Sequence, residues 1–185
     1  FHCCSNDRTK LTRWTANITQ QTTAWRNFAD MGGAVYLENS RLTDSSDNNP
    51  YISSSSNAYK TISFYLFNNT ATSLGGAIFI VCDKNMNITI QNAHLKHGKS
   101  KIGGGGGIYA RGNNDRCRIK MNSIIVEQNA GVQPSAQGGG LLLSGVSATV
   151  EKIDILENTA TSGGGITIQG GFVSVFNSYC HNNKA

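Results

Sequence analysis

Asn69-Thr-Ala-Thr-Ser73 runs through Leu74 into Gly75-Gly-Ala-Ile-Phe-Ile80, and the same order returns as Asn158-Thr-Ala-Thr-Ser162 ahead of Gly163-Gly-Gly-Ile-Thr-Ile168. The glycine phrase occurs three more times, as Gly32-Gly-Ala-Val-Tyr-Leu37, Gly105-Gly-Gly-Ile-Tyr-Ala110 and Gly138-Gly-Gly-Leu-Leu-Leu143. Five copies in one chain mark a repeat architecture, in which each unit stacks on the next. Taken at Ala34, Ala77, Gly107, Gly140 and Gly165, the copies lie 43, 30, 33 and 25 residues apart. The shortest spacing is close to one solenoid turn. The longer ones read as the same turn with inserted loops, the largest holding the Ser- and Asn-rich stretch from Asp44 to Asn57.

After a turn, each of the last four glycine strands leads to a second strand of alternating character. These are Asn87-Ile-Thr-Ile90, Arg118-Ile-Lys-Met121, Thr149-Val-Glu-Lys-Ile153 and Phe172-Val-Ser-Val-Phe176. A third apolar stretch ends in Asn at Leu66 to Asn69, Val126 to Asn129 and Ile155 to Asn158. Period two puts one face in and one out. Two or three strands per coil without a helical pattern predict an all-β parallel β-helix of about six irregular coils. Stacking then supplies both the core and the strand pairing that one coil lacks. The glycines Gly32, Gly33, Gly75, Gly76, Gly105, Gly106, Gly138, Gly139, Gly163 and Gly164 are expected at one corner, where a Cβ would strike the neighbouring coil. Asn at another corner is expected to stack as an amide ladder. The run Gly103 to Gly107 fits the glycine corner better than a phosphate cradle, which needs a helix N-terminus behind it.

These phrases resemble the polymorphic outer-membrane protein repeats of extracellular β-helix adhesins, with their Gly-Gly-Ala-aliphatic and Phe-x-x-Asn signatures. Gly75-Gly-Ala-Ile78 and Gly32-Gly-Ala-Val35 match the first. Leu66-x-x-Asn69 and Ile155-x-x-Asn158 match the second, with an aliphatic residue in place of Phe. The resemblance covers the chain from Thr22 onward and implies a right-handed β-helix over residues 22–185. Residues 1–21 then form an N-terminal extension and a candidate donated strand.

Composition agrees with many short strands: charged residues are only 15% of 185, while Gly, Asn, Ser and Thr abound. Apolar residues reach 38%, but no run approaches the ~20 needed to span a bilayer, so no membrane insertion is expected. The net charge of +5 gathers at Lys96, Lys99 and Lys101 and at Arg111, Arg116, Arg118 and Lys120. Both clusters sit in or beside turns without interleaved aromatics, which reads as a solvated surface and not as a nucleic-acid site. An affinity for anionic cell-surface glycans is the alternative.

Five cysteines, Cys3, Cys4, Cys82, Cys117 and Cys180, form no C-x-x-C pair, so disulfides in an oxidising extracellular or cell-surface setting fit better than zinc. Cys82 and Cys117 are candidates for an intrachain bridge. The sequons Asn17-Ile-Thr19, Asn68-Asn-Thr70 and Asn87-Ile-Thr89 are candidate glycosylation sites, although this composition alone yields about that many. The sequence opens at Phe1 without an initiator Met or a leader, so a leader has been removed or the chain is a fragment.

Many β-helices degrade polysaccharides, which requires paired carboxylates or a metal with a base. Here seven Asp and four Glu lie mostly isolated in turns. The best cluster, Glu151, Asp154 and Glu157, reads as an outer solvated face. His94 and His97 stand near lysines with no acid close in sequence. No catalytic residue, metal site or cofactor is expected. Two Thr-Ala-Thr segments 89 residues apart do not make the threonine row of an ice-binding solenoid.

The ends carry the functional expectation. No amphipathic capping helix is visible, and Cys180-His-Asn-Asn-Lys-Ala185 stops where another glycine strand is due. The expected role is a structural filament or surface-matrix subunit that stacks on copies of itself head to tail. The alternative is an adhesin or carbohydrate-binding passenger fragment, with a polysaccharide-degrading enzyme more remote.

Overall fold

The computed structural model describes residues 22–26, 28–38, 60–62, 64–82, 86–112 and 117–185, and contains strands with no helix among them. Fifteen strands follow in order: β1 (Thr22–Trp25), β2 (Phe28–Met31), β3 (Val35–Glu38), β4 (Lys60–Ile62), β5 (Phe64–Phe67), β6 (Thr70–Leu74), β7 (Ile78–Cys82), β8 (Met86–Lys96), β9 (Lys99–Ser100), β10 (Ile108–Gly112), β11 (Cys117–Glu127), β12 (Ala130–Gly131), β13 (Leu141–Leu156), β14 (Ile166–Phe176) and β15 (Tyr179–His181). All their pairings are parallel, and strands one turn apart in the chain lie side by side. The chain is therefore a β-solenoid.

Each turn has four faces. The glycine face stacks Val35, Ile78, Ile108, Leu141 and Ile166, which spans about four turns. The second face stacks Lys60, Ile88, Ile119, Ala148 and Val173. The third stacks Ala24, Leu66, Leu95, Val126, Ile155 and Cys180. The fourth stacks Phe28, Thr70, Lys99, Ala130, Thr159 and Lys184 through short strands and single bridges.

The alternation predicted for the second strands is clear in β11, whereas on β8 Thr89 is buried together with Ile88 and Ile90; the long strands β8, β11, β13 and β14 also bend through corners. In β11, Cys117, Ile119 and Met121 are buried, then Ile124 and Val126, because Ser123 between them takes a positive φ of 54°. Asn92 and Lys152 do the same one rung away on either side, and Asn177 two rungs on, between β14 and β15. A single left-handed residue turns the chain through a corner and resets which side chains face inward. Thr149 to Ile153 thus belongs to two faces, with the corner at Lys152.

The core is one aliphatic column inside the coils, including Ile80, Ile90, Leu95, Ile108, Met121, Leu143 and Val150, all fully buried. At the glycine corner the backbones of adjacent turns nearly touch. A Cβ on Gly139 would lie 2.4 Å from the Gly164 carbonyl oxygen and 2.5 Å from that of Thr159. Its neighbour Gly138 has φ +61°. Only glycine meets both demands.

Candidate functional site

The side chains that differ most from their ladder neighbours lie on the last rung. Among the described residues, β14 and β15 pair on one side only, with β13. Ile168 is 48% exposed, whereas Leu143 beside it on the preceding rung is 0%. Val175 is 45% exposed and its neighbour Val150 0%. These residues share ladders with inward-facing residues of the column, and among the described residues nothing stands over them on the far side. On the outside of the same rung Phe172, Phe176 and Tyr179 are all more than half exposed. The rung thus combines a free parallel edge with an apolar cross-section. Chemically it is a pairing surface for another strand of the same polarity.

The asparagine corner ends there too. Asn158 is fully buried; its Nδ2 donates to the Val126 carbonyl at 2.8 Å and to Asn183 Oδ1 at 3.0 Å, and its backbone N–H donates to Asn183 Oδ1 at 2.9 Å. Asn129 repeats this pattern one rung earlier, on Leu95 and Asn158. Gly98 stands at the corner before that and keeps the backbone bond alone, to Asn129 Oδ1 at 2.7 Å. Asn183 accepts from Asn158 and donates to the Ile155 carbonyl. Among the described residues no acceptor meets its own backbone N–H.

Cys180 sits on this rung with an exposed, free thiol that partial burial pushes up from its ordinary pKa, so it is protonated at neutral pH and a poor nucleophile. Cys82 and Cys117 are disulfide-bonded, Cα to Cα 5.4 Å, and join the end of β7 to the start of β11 inside the core. Gly112 lies against them: a Cβ there would meet Cys117 Cβ at 2.8 Å. Cys3 and Cys4 lie outside the described residues. So does the sequon residue Asn17. Asn68 is exposed at a corner with φ 54°, and Asn87 is half-buried on β8.

Other clusters seen in the sequence are dispersed by the fold. Lys99 and Lys101 are exposed on the fourth face, where Lys101 Nζ lies 4.9 Å from the Phe28 ring. Arg111 lies on the glycine face, 5.6 Å from the Phe79 ring, while Arg118 and Lys120 project from the second face; Arg116 is outside the described residues. Thr89, Gln91, Lys120 and Asn122 line a shallow groove open to solvent. Glu151 accepts from Asn122 Nδ2, Glu157 accepts from Gln128 Nε2, and Asp154 stands on a different face from Glu151. Thr70 and Thr159 share a ladder, with Lys99 and Ala130 between them.

Sequence reading finds no acid near His94, but the fold supplies one. Glu127, one rung on, accepts at 2.9 Å from both His94 Nε2 and Lys96 Nζ. Burial opposes its charge, yet the hydrogen bonds from Lys96 and His94 outweigh this and hold the carboxyl below its ordinary pKa. Tyr65 and Phe67 pack edge-on against the His94 ring. No group of three or more His, Cys, Asp or Glu that could hold a metal ion occurs among the described residues.

No characterised protein and no solved structure matches the chain significantly. Residues 63–81, however, match the family model of the Chlamydia polymorphic membrane protein repeat. That stretch holds both Leu66-x-x-Asn69 and Gly75-Gly-Ala-Ile78, the phrases on which the resemblance was read. The chain is thus a β-solenoid that carries a polymorphic membrane protein repeat.

Proposed function

We propose that this chain is an extracellular or cell-surface structural protein whose solenoid stacks head to tail on copies of itself, building a filament or surface matrix. The carrying observation is the last rung: two one-sided strands, β14 and β15, with Ile168 and Val175 about half exposed where their ladder neighbours are fully buried. The opposite end supports the reading. There, among the described residues, β1, β2 and β3 each pair on one side only, and they belong to the same ladders in the same direction. A surface of one kind at one end and its complement at the other propagates as an open polymer. The Cys82–Cys117 disulfide supports an oxidising setting, and the repeat shared with a membrane-protein family supports the cell surface. In this reading the solenoid binds and spaces and catalyses nothing, and glycans attach at the exposed Asn68.

Light scattering on the 185-residue chain tests this. The account predicts assemblies that grow with concentration, returned to the 19.8 kDa monomer by Val175→Lys with an unchanged circular dichroism spectrum. A wild-type chain that stays monomeric at every concentration, or a variant that assembles equally well, overturns it.

A further inference from the structure

Midway along the solenoid, the outer side of the second face carries a polar grid. β8, β11 and β13 are in register there, so Thr89, Lys120 and Thr149 form one row and Gln91, Asn122 and Glu151 the next. Members of a row stand one rung, about 4.8 Å, apart. The groove lined by Thr89, Gln91, Lys120 and Asn122 has a volume of about 410 Å³, within the range of small-ligand sites. Thr89 is the anomaly in it. Its ladder neighbour Lys120 is exposed, yet Thr89 itself is only 8% exposed. Among the described residues no hydrogen-bond partner meets its hydroxyl. Buried polar groups are nearly always paired, and one left unpaired at an open groove calls for a partner from outside.

The residues around Thr89 are arranged to receive such a partner. Asn122 is held at both ends: its Oδ1 accepts from Ser123 Oγ at 2.7 Å, and its Nδ2 donates to Glu151 Oε2 at 3.1 Å. The amide is thus fixed before a ligand arrives, which lowers the ordering cost of binding. Among the described residues, its second N–H and Glu151 Oε1 are left for that ligand. Arg118 and Lys120 stand exposed two positions apart on β11, about 6.6 Å along the strand. Neither has a carboxylate partner among the described residues.

We propose that this groove binds an acidic polysaccharide, a sugar chain bearing carboxylates, laid across β8, β11 and β13. Arg118 and Lys120 meet a sugar carboxylate through charge-assisted hydrogen bonds, and Thr89, Gln91 and Asn122 pair with sugar hydroxyls. The chemistry favours this occupant over other anions. A lone inorganic anion would leave the hydroxyl and the amides unused. A nucleic acid brings a phosphate at every nucleotide against Glu151, and these rows hold no aromatic ring to stack its bases. A sugar chain offers sparse charge among many hydroxyls, which is what the two rows complement. Binding here needs no neighbouring solenoid, so it stands or falls apart from head-to-tail stacking.

Biolayer interferometry of the 185-residue chain on immobilised polygalacturonate and hyaluronate tests this, below the concentration at which light scattering detects assembly. The chain should bind at least one of these two carboxylate-bearing polymers and ignore neutral dextran. Lys120→Gln and, separately, Thr89→Val should each raise Kd roughly tenfold. Lys99→Gln, an equal loss of charge on the fourth face, should leave it unchanged. Thr89→Val should also melt no lower than the wild type, because it removes an unpaired buried hydroxyl at constant shape. Absence of binding to both polymers overturns the proposal, as does equal binding to dextran. Equal weakening by Lys99→Gln, or equally tight binding of single-stranded DNA, reduces the effect to general attraction for polyanions and overturns the site. A Thr89→Val chain that melts lower assigns the hydroxyl a structural partner and overturns its role as a ligand group.

Discussion

Asn158 is a buried polar residue whose every bond runs to a neighbouring turn, so it works as a rivet between coils. It serves the Val126 carbonyl and the Asn129 backbone N–H, both enclosed. Asn158→Ala removes both bonds and strands the buried Asn129 N–H, which costs ~1–3 kcal/mol, so we expect a loss of about 2–4 kcal/mol in urea melts. Lys152 presents the opposite case. It is exposed, yet holds φ 52° as the corner residue of β13. The left-handed region costs a residue with a Cβ about 1–2 kcal/mol, and glycine recovers part of this against its greater unfolded-state entropy. Lys152→Gly should raise the melting temperature by about 2–4 °C. Glu127 sets a pH dependence. Its folded pKa is lowered, so its contribution is present above the unfolded pKa and lost as pH falls through the folded one. Glu127→Gln should flatten the acid limb of the stability curve while leaving the curve above pH 7 parallel to that of the wild type; an unchanged acid limb would contradict the assignment.

At the scale of elements, the corners were more legible than the strands. The glycine phrase is readable because backbone packed on backbone, as at Gly139, excludes every other side chain. We expect Gly139→Ala to abolish cooperative unfolding, read by thermal circular dichroism. The bends at Asn92, Ser123, Lys152 and Asn177 were not legible, because Ser and Lys carry no mark of the left-handed conformation that context imposes on them. The same holds for His94 and Glu127. They meet because β8 and β11 are in register, and turns of unequal length hide that register from any fixed period. Gly112 would pass for a loop residue until the disulfide beside it shows why no Cβ fits. That disulfide closes a separation of 35 residues, and removing it by Cys82→Ala with Cys117→Ala should cost about 2–4 kcal/mol. Equal stability of the wild type with and without reductant would show that the bond contributes nothing.

For the whole molecule, solenoid architecture and function are one question. A stack of turns derives its stability from nearest-neighbour contacts, so an end rung is always the weakest place and the place where growth is easiest. The half-exposed Ile168 and Val175, and end strands that pair on one side only among the described residues, are the observations that support the head-to-tail stacking proposed above. Acidic and basic clusters that looked suggestive along the chain are distributed over separate faces, because neighbours in sequence project from different sides of a four-faced coil. The most direct test of the account is electron microscopy of the assembled 185-residue chain. Six third-face rungs per copy, each about 4.8 Å, predict thin unbranched filaments with an axial repeat of about 29 Å per subunit. Discrete particles of one solenoid's length, at concentrations where light scattering has reached its plateau, would contradict it.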